Sequence, residues 1–195
     1  MPRGGLDPAA VVTAAADLAD EVGFAGLTMG LVAGRIGVRT PSLYKHIDSL
    51  DALKRGISVR AKRELGGTLA RAAVGRSGPE AFRAFADAYR RWVLDHPGRY
   101  AATARVPAAG DEEDRRAGDD ALQVLLDVSA GFGLRGADAI DAARGVRSAM
   151  HGFVSLEAAG AFGHLGETAR SYRCLVDALI TALHTYHSTP SGEPT

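Results

Sequence analysis

Arg39, Thr40, Pro41, Ser42, Tyr44, Lys45 and His46 are the densest run of side chains with nucleic-acid chemistry in this sequence. A guanidinium, an ammonium, an imidazole, hydroxyls and a phenol together supply donors for base edges and phosphate oxygens. The spacing is that of one short helix. Pro41 stands where a helix begins, because its missing N–H costs nothing there and its φ is already helical, and Thr40 before it is a side-chain cap. Leu43 and Ile47, four apart, turn inward. Ser42, Lys45 and His46 are left on the opposite face beside the helix N-terminus, which is how a recognition helix meets a major groove.

A second helix must brace such an element. Thr28 caps one in which Leu31, Val32 and Ile36 share a face, and Gly37 supplies the backbone freedom for a sharp turn between the two. Upstream, Asp7-Pro8 opens a first helix with Val11, Ala15, Leu18, Ala19 and Val22 inward and Gly23 at its end. The outline is a three-helix helix-turn-helix head over residues 1–47.

Val12, Ala15, Leu18, Val22-Gly23, Leu27-Thr28, Val32-Ala33, Ile36-Gly37-Val38, Pro41-x-Leu43-Tyr44-x-His46 and Leu53 resemble the N-terminal domain of the tetracycline-repressor (TetR) family of transcriptional regulators. The resemblance implies a homodimer whose two heads grip a palindromic double-stranded DNA operator. It implies that Thr28 and Tyr44 hold phosphates while Arg39, Thr40, Pro41, Ser42, Lys45 and His46 face the groove. Two positions depart from the pattern. Gly30 stands where many relatives carry a polar side chain, and Leu50 replaces a lysine that commonly anchors a phosphate. The backbone amides of Ser49 and Leu50 are the substitute donors.

Composition agrees with a soluble, cytoplasmic protein. Hydrophobic residues make up 46%, formal net charge is zero, and no apolar run approaches the ~20 residues that span a bilayer. Neither a signal peptide nor a membrane segment is expected. The single Cys174 excludes an internal disulfide and reads as a small buried hydrophobe. A neutral chain can still bind DNA if charge is distributed locally. Residues 28–63 carry Arg35, Arg39, Lys45, Lys54, Arg55, Arg60, Lys62 and Arg63 against Asp48 and Asp51, a surplus of six, with the acids concentrated at 111–120.

Helical periodicity continues to the end of the chain, so the expected fold is all-α, with about nine helices and a helical-bundle regulatory and dimerisation domain at 48–188. A fourth helix from Leu50 carries Leu53, Ile57, Ala61, Leu65 and Leu69 at intervals of four. Ser77-Gly78-Pro79-Glu80 opens a fifth, with Phe82, Phe85, Tyr89 and Trp92, before His96-Pro97-Gly98 breaks it. A short helix near Tyr100, an acidic surface loop, a seventh helix through Leu122, Leu125 and Leu126, and a glycine-rich turn at 131–136 follow. Residues 189–195 read as a flexible tail.

The last two helices, at about 137–162 and 167–187, contain RSAMHGFVSLEAAGAF, which resembles the C-terminal domain of a TetR subgroup named for a Trp-His-Gly signature, with Met150 in place of the tryptophan. Ala142, Gly145, Ala149, Gly152, Leu156 and Ala159 form a stripe of mostly small residues. Tyr172, Leu175, Val176, Leu179, Leu183 and Tyr186 make an apolar face, and two such helices per subunit would pack as a four-helix dimer interface. Phe85, Tyr89, Trp92 and Tyr100 with Met150, His151 and Val154 are the candidate lining of a cavity for a hydrophobic effector.

Gly131-Phe132-Gly133-Leu134-Arg135-Gly136 satisfies G-x-G-x-x-G, but that motif binds a dinucleotide only after a strand, and a helical pattern precedes it here. His184 and His187 lack Cys or carboxylate partners for a metal. No cofactor, metal or catalytic constellation is expected, and the chain reads as no enzyme. The sequence therefore describes a ligand-responsive, DNA-binding repressor. The alternative is an all-α small-molecule-binding protein or enzyme with a vestigial helix-turn-helix.

Overall fold

The computed structural model describes residues 7–163 and 167–186, and among these every regular element is helical. In order they are α1 (Pro8–Val22), α2 (Met29–Ile36), α3 (Thr40–Leu43), α4 (Leu50–Ala73), α5 (Gly78–Asp95), α6 (Pro97–Thr103), α7 (Glu112–Ala130), α8 (Gly136–Ala158) and α9 (Thr168–Thr185). The expected tail at 189–195 and His187 lie outside the described residues. Two compact units emerge. One is the chain up to Leu65 with Asp95–Asp120, and the other is Gly66–Leu94 with the chain from Ala121 on.

The first unit is organised by buried aliphatic side chains. Val11, Ala15, Leu18 and Ala19 of α1 are buried with Val32 and Ala33 of α2, Leu43 of α3, and Leu53, Ile57 and Ala61 of α4. The four-residue spacing on α4 is thus the buried stripe expected, and it continues through Leu65 and Leu69. Val22 (42%) and Leu31 (46%) are exposed instead of inward, and Met29 takes the place of Leu31 in the α2 core face. Helix α6 belongs to this unit and meets α1 backbone to backbone. A Cβ on Gly98 would lie 1.9 Å from the Ala19 carbonyl oxygen, so only glycine fits. Arg99, next in sequence, donates its backbone N–H to Asp20 at 2.8 Å, and its guanidinium reaches Asp17, Asp20 and Glu64.

The acidic segment is not a loop. Residues 112–120 are the opening turns of α7, with Glu112, Glu113 and Asp114 where the N-terminal partial positive charge favours them. Asp114 is fully buried and its Oδ1 accepts from Lys62 Nζ at 2.6 Å and Ser58 at 3.2 Å. Lys62 also donates to the Arg105 carbonyl at 3.1 Å, so both charges have the partners that burial demands.

In the second unit, Phe82 meets Phe85 and Phe132 at centroid distances of 6.4 and 6.2 Å, and Phe153 meets Tyr172 at 5.2 Å. The buried Tyr172 hydroxyl donates to the Ala86 carbonyl at 2.9 Å. Arg90 binds the Glu157 carboxylate in bidentate fashion and lies over the Tyr172 ring. The turn at 131–136 follows α7, a helix, and Gly131 serves internal packing: a Cβ there would stand 2.7 Å from the Gly78 nitrogen. That disposes of a phosphate loop. Leu122 (41%) and Tyr186 (38%) are exposed. Cys174, expected to be buried, is exposed as well.

Candidate nucleic-acid interface

The head is assembled from Thr28 onward. Its Oγ1 accepts the Leu31 N–H at 3.2 Å and starts α2, leaving the hydroxyl proton free to donate outward. Gly37 ends that helix in the left-handed conformation, φ 78° and ψ 29°. Its N–H bonds back to Ala33 and Gly34, and the Val38 N–H to Ala33, so the turn satisfies the open carbonyls of α2.

The recognition element is shorter than its sequence suggests. The α-helix covers only Thr40–Leu43, with Arg39 and not Thr40 in the capping position and no side-chain cap. It then tightens. Lys45 and His46 donate to the carbonyls three residues back, Ser42 and Leu43, while Ile47 closes on Leu43 at 3.1 Å. Leu43 (0%) and Ile47 (8%) are buried as expected and pin this turn to the head. Tyr44 is half exposed at 50%, Arg39, Pro41 and Lys45 are exposed, and Thr40, Ser42 and His46 are partly so. Thr28 is exposed at the start of α2. Among the described residues neither Arg39 nor Lys45 has a carboxylate partner.

Most of the other cations do. Arg35 pairs with Glu21, Arg60 with Glu64, Arg63 with Glu113, and Lys62 with Asp114. Arg55 binds Asp111 through Nε and Nη2, each at 2.6 Å, and Glu113 at 2.9 Å. Asp51 is met in turn by Arg105 at 3.0 Å. Folding therefore brings the distant acids onto the basic stretch, and its surplus is largely neutralised. Arg39, Lys45 and Lys54 remain. Lys54 stands 5.4 Å from the centroid of the Phe24 ring, a cation–π arrangement that leaves the ammonium able to bind an anion. No local sequence pattern links residues 51 and 55 to residues 105–113, so this neutralisation is illegible there. Ser49 Oγ accepts the Ala52 N–H at 3.0 Å and caps α4 just beyond the recognition turn.

The effector residues divide. Phe85, Tyr89, Trp92, Met150 and Val154 are buried in the second unit, whereas His151 is on its surface with Nδ1 3.4 Å from Ser155 Oγ. Tyr100 belongs to the first unit and is partly exposed. A depression of about 350 Å³ opens elsewhere, among Pro8, Val12, Gly56, Val59, Arg60 and Arg63. The dimerisation residues also divide. Ala142 and Leu183 are buried within their own unit, because α8 and α9 turn those positions toward its core, while Gly145 and Leu156 are exposed and Ala149, Gly152, Leu175 and Leu179 are partly so.

Comparison with known proteins agrees with this geometry. Residues 82–179 match the family model for a tetracyclin repressor-like C-terminal domain. An uncharacterised HTH-type transcriptional regulator of Mycobacterium tuberculosis is 36% identical over 156 residues, covering 80% of this chain and 72% of the relative. Another from Bacillus subtilis is 34% identical over 163 residues, covering 83% and 84%. Among solved structures, BioQ with its double-stranded DNA operator shares the fold at TM-score 0.66 and 21% identity, over 92% of this chain and 99% of that one. A TetR variant from Acinetobacter baumannii in complex with minocycline does so at TM-score 0.71 and 21% identity, over 95% and 100%. The head, the pinned recognition turn and these likenesses together place the chain in the tetracycline-repressor family of helix-turn-helix transcriptional regulators.

Proposed function

We propose that the protein is a cytoplasmic repressor that binds a palindromic operator as a homodimer and is released by a small hydrophobic effector, acting by binding and not by turnover. Arg39, Lys45 and His46, with Ser42, read base edges, while Thr28 and Tyr44 hold phosphates. Residues 1–47 form the DNA head and residues 48–188 the effector and dimerisation domain. The observation that carries the reading is the turn at 40–47: two buried aliphatic side chains hold it from within, and exposed Arg39, Tyr44 and Lys45 stand outward, with no acid among the described residues to occupy the cations. Two such turns about 34 to 36 Å apart would enter successive major grooves of one duplex face. BioQ, solved with its operator, is the precedent of like fold for the DNA role. The buried Phe85, Tyr89 and Trp92 with Met150 and Val154 support an apolar effector site, for which the A. baumannii TetR variant in complex with minocycline is the precedent.

Fluorescence anisotropy with the intergenic duplex beside the protein's own gene tests the DNA reading. The triple variant Arg39→Ala, Tyr44→Phe, Lys45→Ala should bind roughly a hundredfold or more weakly, since each side-chain bond to a base or phosphate is worth about 1–3 kcal/mol. Unchanged affinity would remove the recognition turn from the interface. Trp92 fluorescence against a panel of hydrophobic ligands tests the effector reading, and a flat response across the panel counts against it.

A further inference from the structure

We infer that Asp111 and Glu113 of the α7 N-terminus mask Arg55 as a reserve phosphate contact, so that the head holds part of its own DNA affinity in check. The inference rests on the proposed DNA-binding role and adds a regulatory contact to it. Arg55 lies five residues into α4, about 7.5 Å along the axis from the helix start that follows the recognition turn. On a helix an arginine side chain leans toward the N-terminus and covers part of that distance, which brings its guanidinium toward the backbone a bound duplex would present to the α4 terminus. In the structure the Nε and Nη2 edge of that guanidinium is occupied, by Asp111 Oδ2 and Oδ1 at 2.6 Å and by Glu113 Oε2 at 2.9 Å.

Carboxylate and phosphate each offer a guanidinium two acceptor oxygens for bidentate hydrogen bonding, so the two acids compete with DNA for the same edge of Arg55. Hydrogen bonding from Arg55 lowers the Asp111 carboxyl to about 2, and the Glu113 carboxyl is lowered chiefly by the same residue. The two acids are not placed there by the needs of α7 alone. Glu112 and Asp119, on the same helix, pair with Arg115 of that helix, whereas Asp111 and Glu113 reach across to α4. Helix α7 continues beyond Asp120 into the second unit, so a shift of that helix would withdraw both acids from Arg55 together.

Salt dependence of binding to a duplex of arbitrary sequence, between about 50 and 200 mM, reads the number of phosphates engaged, at roughly 0.9 per contact in the log–log slope. With Arg55 masked, Arg55→Gln in the otherwise unchanged protein leaves the slope as it is, and a fall of about 1.8, two contacts per dimer, overturns the inference because Arg55 would already be on DNA. Asp111→Asn with Glu113→Gln steepens the slope by about 1.8, one new contact of about 0.9 from each subunit of the dimer, and adding Arg55→Gln restores it. The matched control, Glu112→Gln with Asp119→Asn, removes the same charge from α7 without freeing Arg55 and leaves the slope unchanged. Equal steepening in test and control would mean a general field effect and overturns the masking. If the double variant loses its helical circular dichroism, Asp111→Asn alone, which removes the bidentate carboxylate but keeps an oxygen for the Asp114 N–H, carries the test, with steepening of the same sign expected and none overturning it. Failure of the unaltered protein to bind any duplex would sink the DNA-binding reading and this inference with it. Normal binding with no steepening in the variants sinks this inference alone.

Discussion

Single side chains in the head do opposite work within one turn of chain. Leu43 is fully buried and fixes where the turn lies, while the adjacent Tyr44 is half exposed and free to meet a ligand. Asp111 combines two tasks in one carboxylate, accepting both Arg55 nitrogens and the Asp114 N–H at 3.2 Å. The Arg55 hydrogen bond holds its carboxyl at about 2, against an ordinary 3.8. A carboxyl whose pKa falls on folding stabilises the native state above its unfolded value, and that stabilisation disappears as pH drops through the folded one. Between pH 4 and 2, therefore, the protein should lose stability more steeply than its Asp111→Asn variant, as measured by urea midpoints across that window. Parallel losses would show that the Asp111–Arg55 contact contributes nothing to folding. In the sequence Asp111 reads as part of an acidic surface loop, because its role depends on a partner 56 residues away.

At the level of elements, two glycines in helices behave differently for a reason only packing supplies. Gly98 of α6 lies against the Ala19 carbonyl, and a Cβ there would overlap it at 1.9 Å. Gly34, in the middle of the eight-residue α2, has nothing within 4 Å of an added Cβ and no positive φ. Thermal melts should separate them. Gly98→Ala should destabilise by roughly 3 kcal/mol or more as α6 is forced off α1, whereas Gly34→Ala should raise stability by up to ~1 kcal/mol through helix propensity. Equal effects of the two would refute the close approach of α6 to α1. The helices themselves are legible in the sequence, from caps, prolines and four-residue aliphatic spacing. Less legible is the recognition element, where a sequence reading gives a regular helix after Thr40 and the structure gives one α-turn closed by three-residue hydrogen bonds. Short helices are decided by what they dock on, because local propensity over four residues is too weak to choose.

For the whole molecule the decisive question is assembly. Gly145 and Leu156 (49%) of α8 are exposed and Leu175 and Leu179 of α9 only partly covered, which is an apolar surface that a second copy would bury. Sedimentation equilibrium should find a dimer at micromolar concentration, and Leu156→Glu with Leu179→Glu should yield monomers with undiminished helicity and much weaker operator binding. A monomeric native protein, or a variant that remains dimeric, would contradict this assignment. Ala142 and Leu183 should be left out of such a surface, since both are buried in their own unit.

From the sequence alone came the all-helical class, the family resemblance, the glycine turn at 37 and the inward Leu43 and Ile47, since all of these are written in local spacing, capping chemistry and backbone permissiveness. Tertiary structure alone decided which cations are left for DNA and which apolar residues are left for a partner. Ion pairs such as Lys62–Asp114 and Arg55–Asp111 join positions more than 50 residues apart, and the choice between core and surface on α8 and α9 depends on which neighbour each face meets. Local chemistry proposes a role for each side chain; the partners that folding delivers determine whether it is still free to perform it.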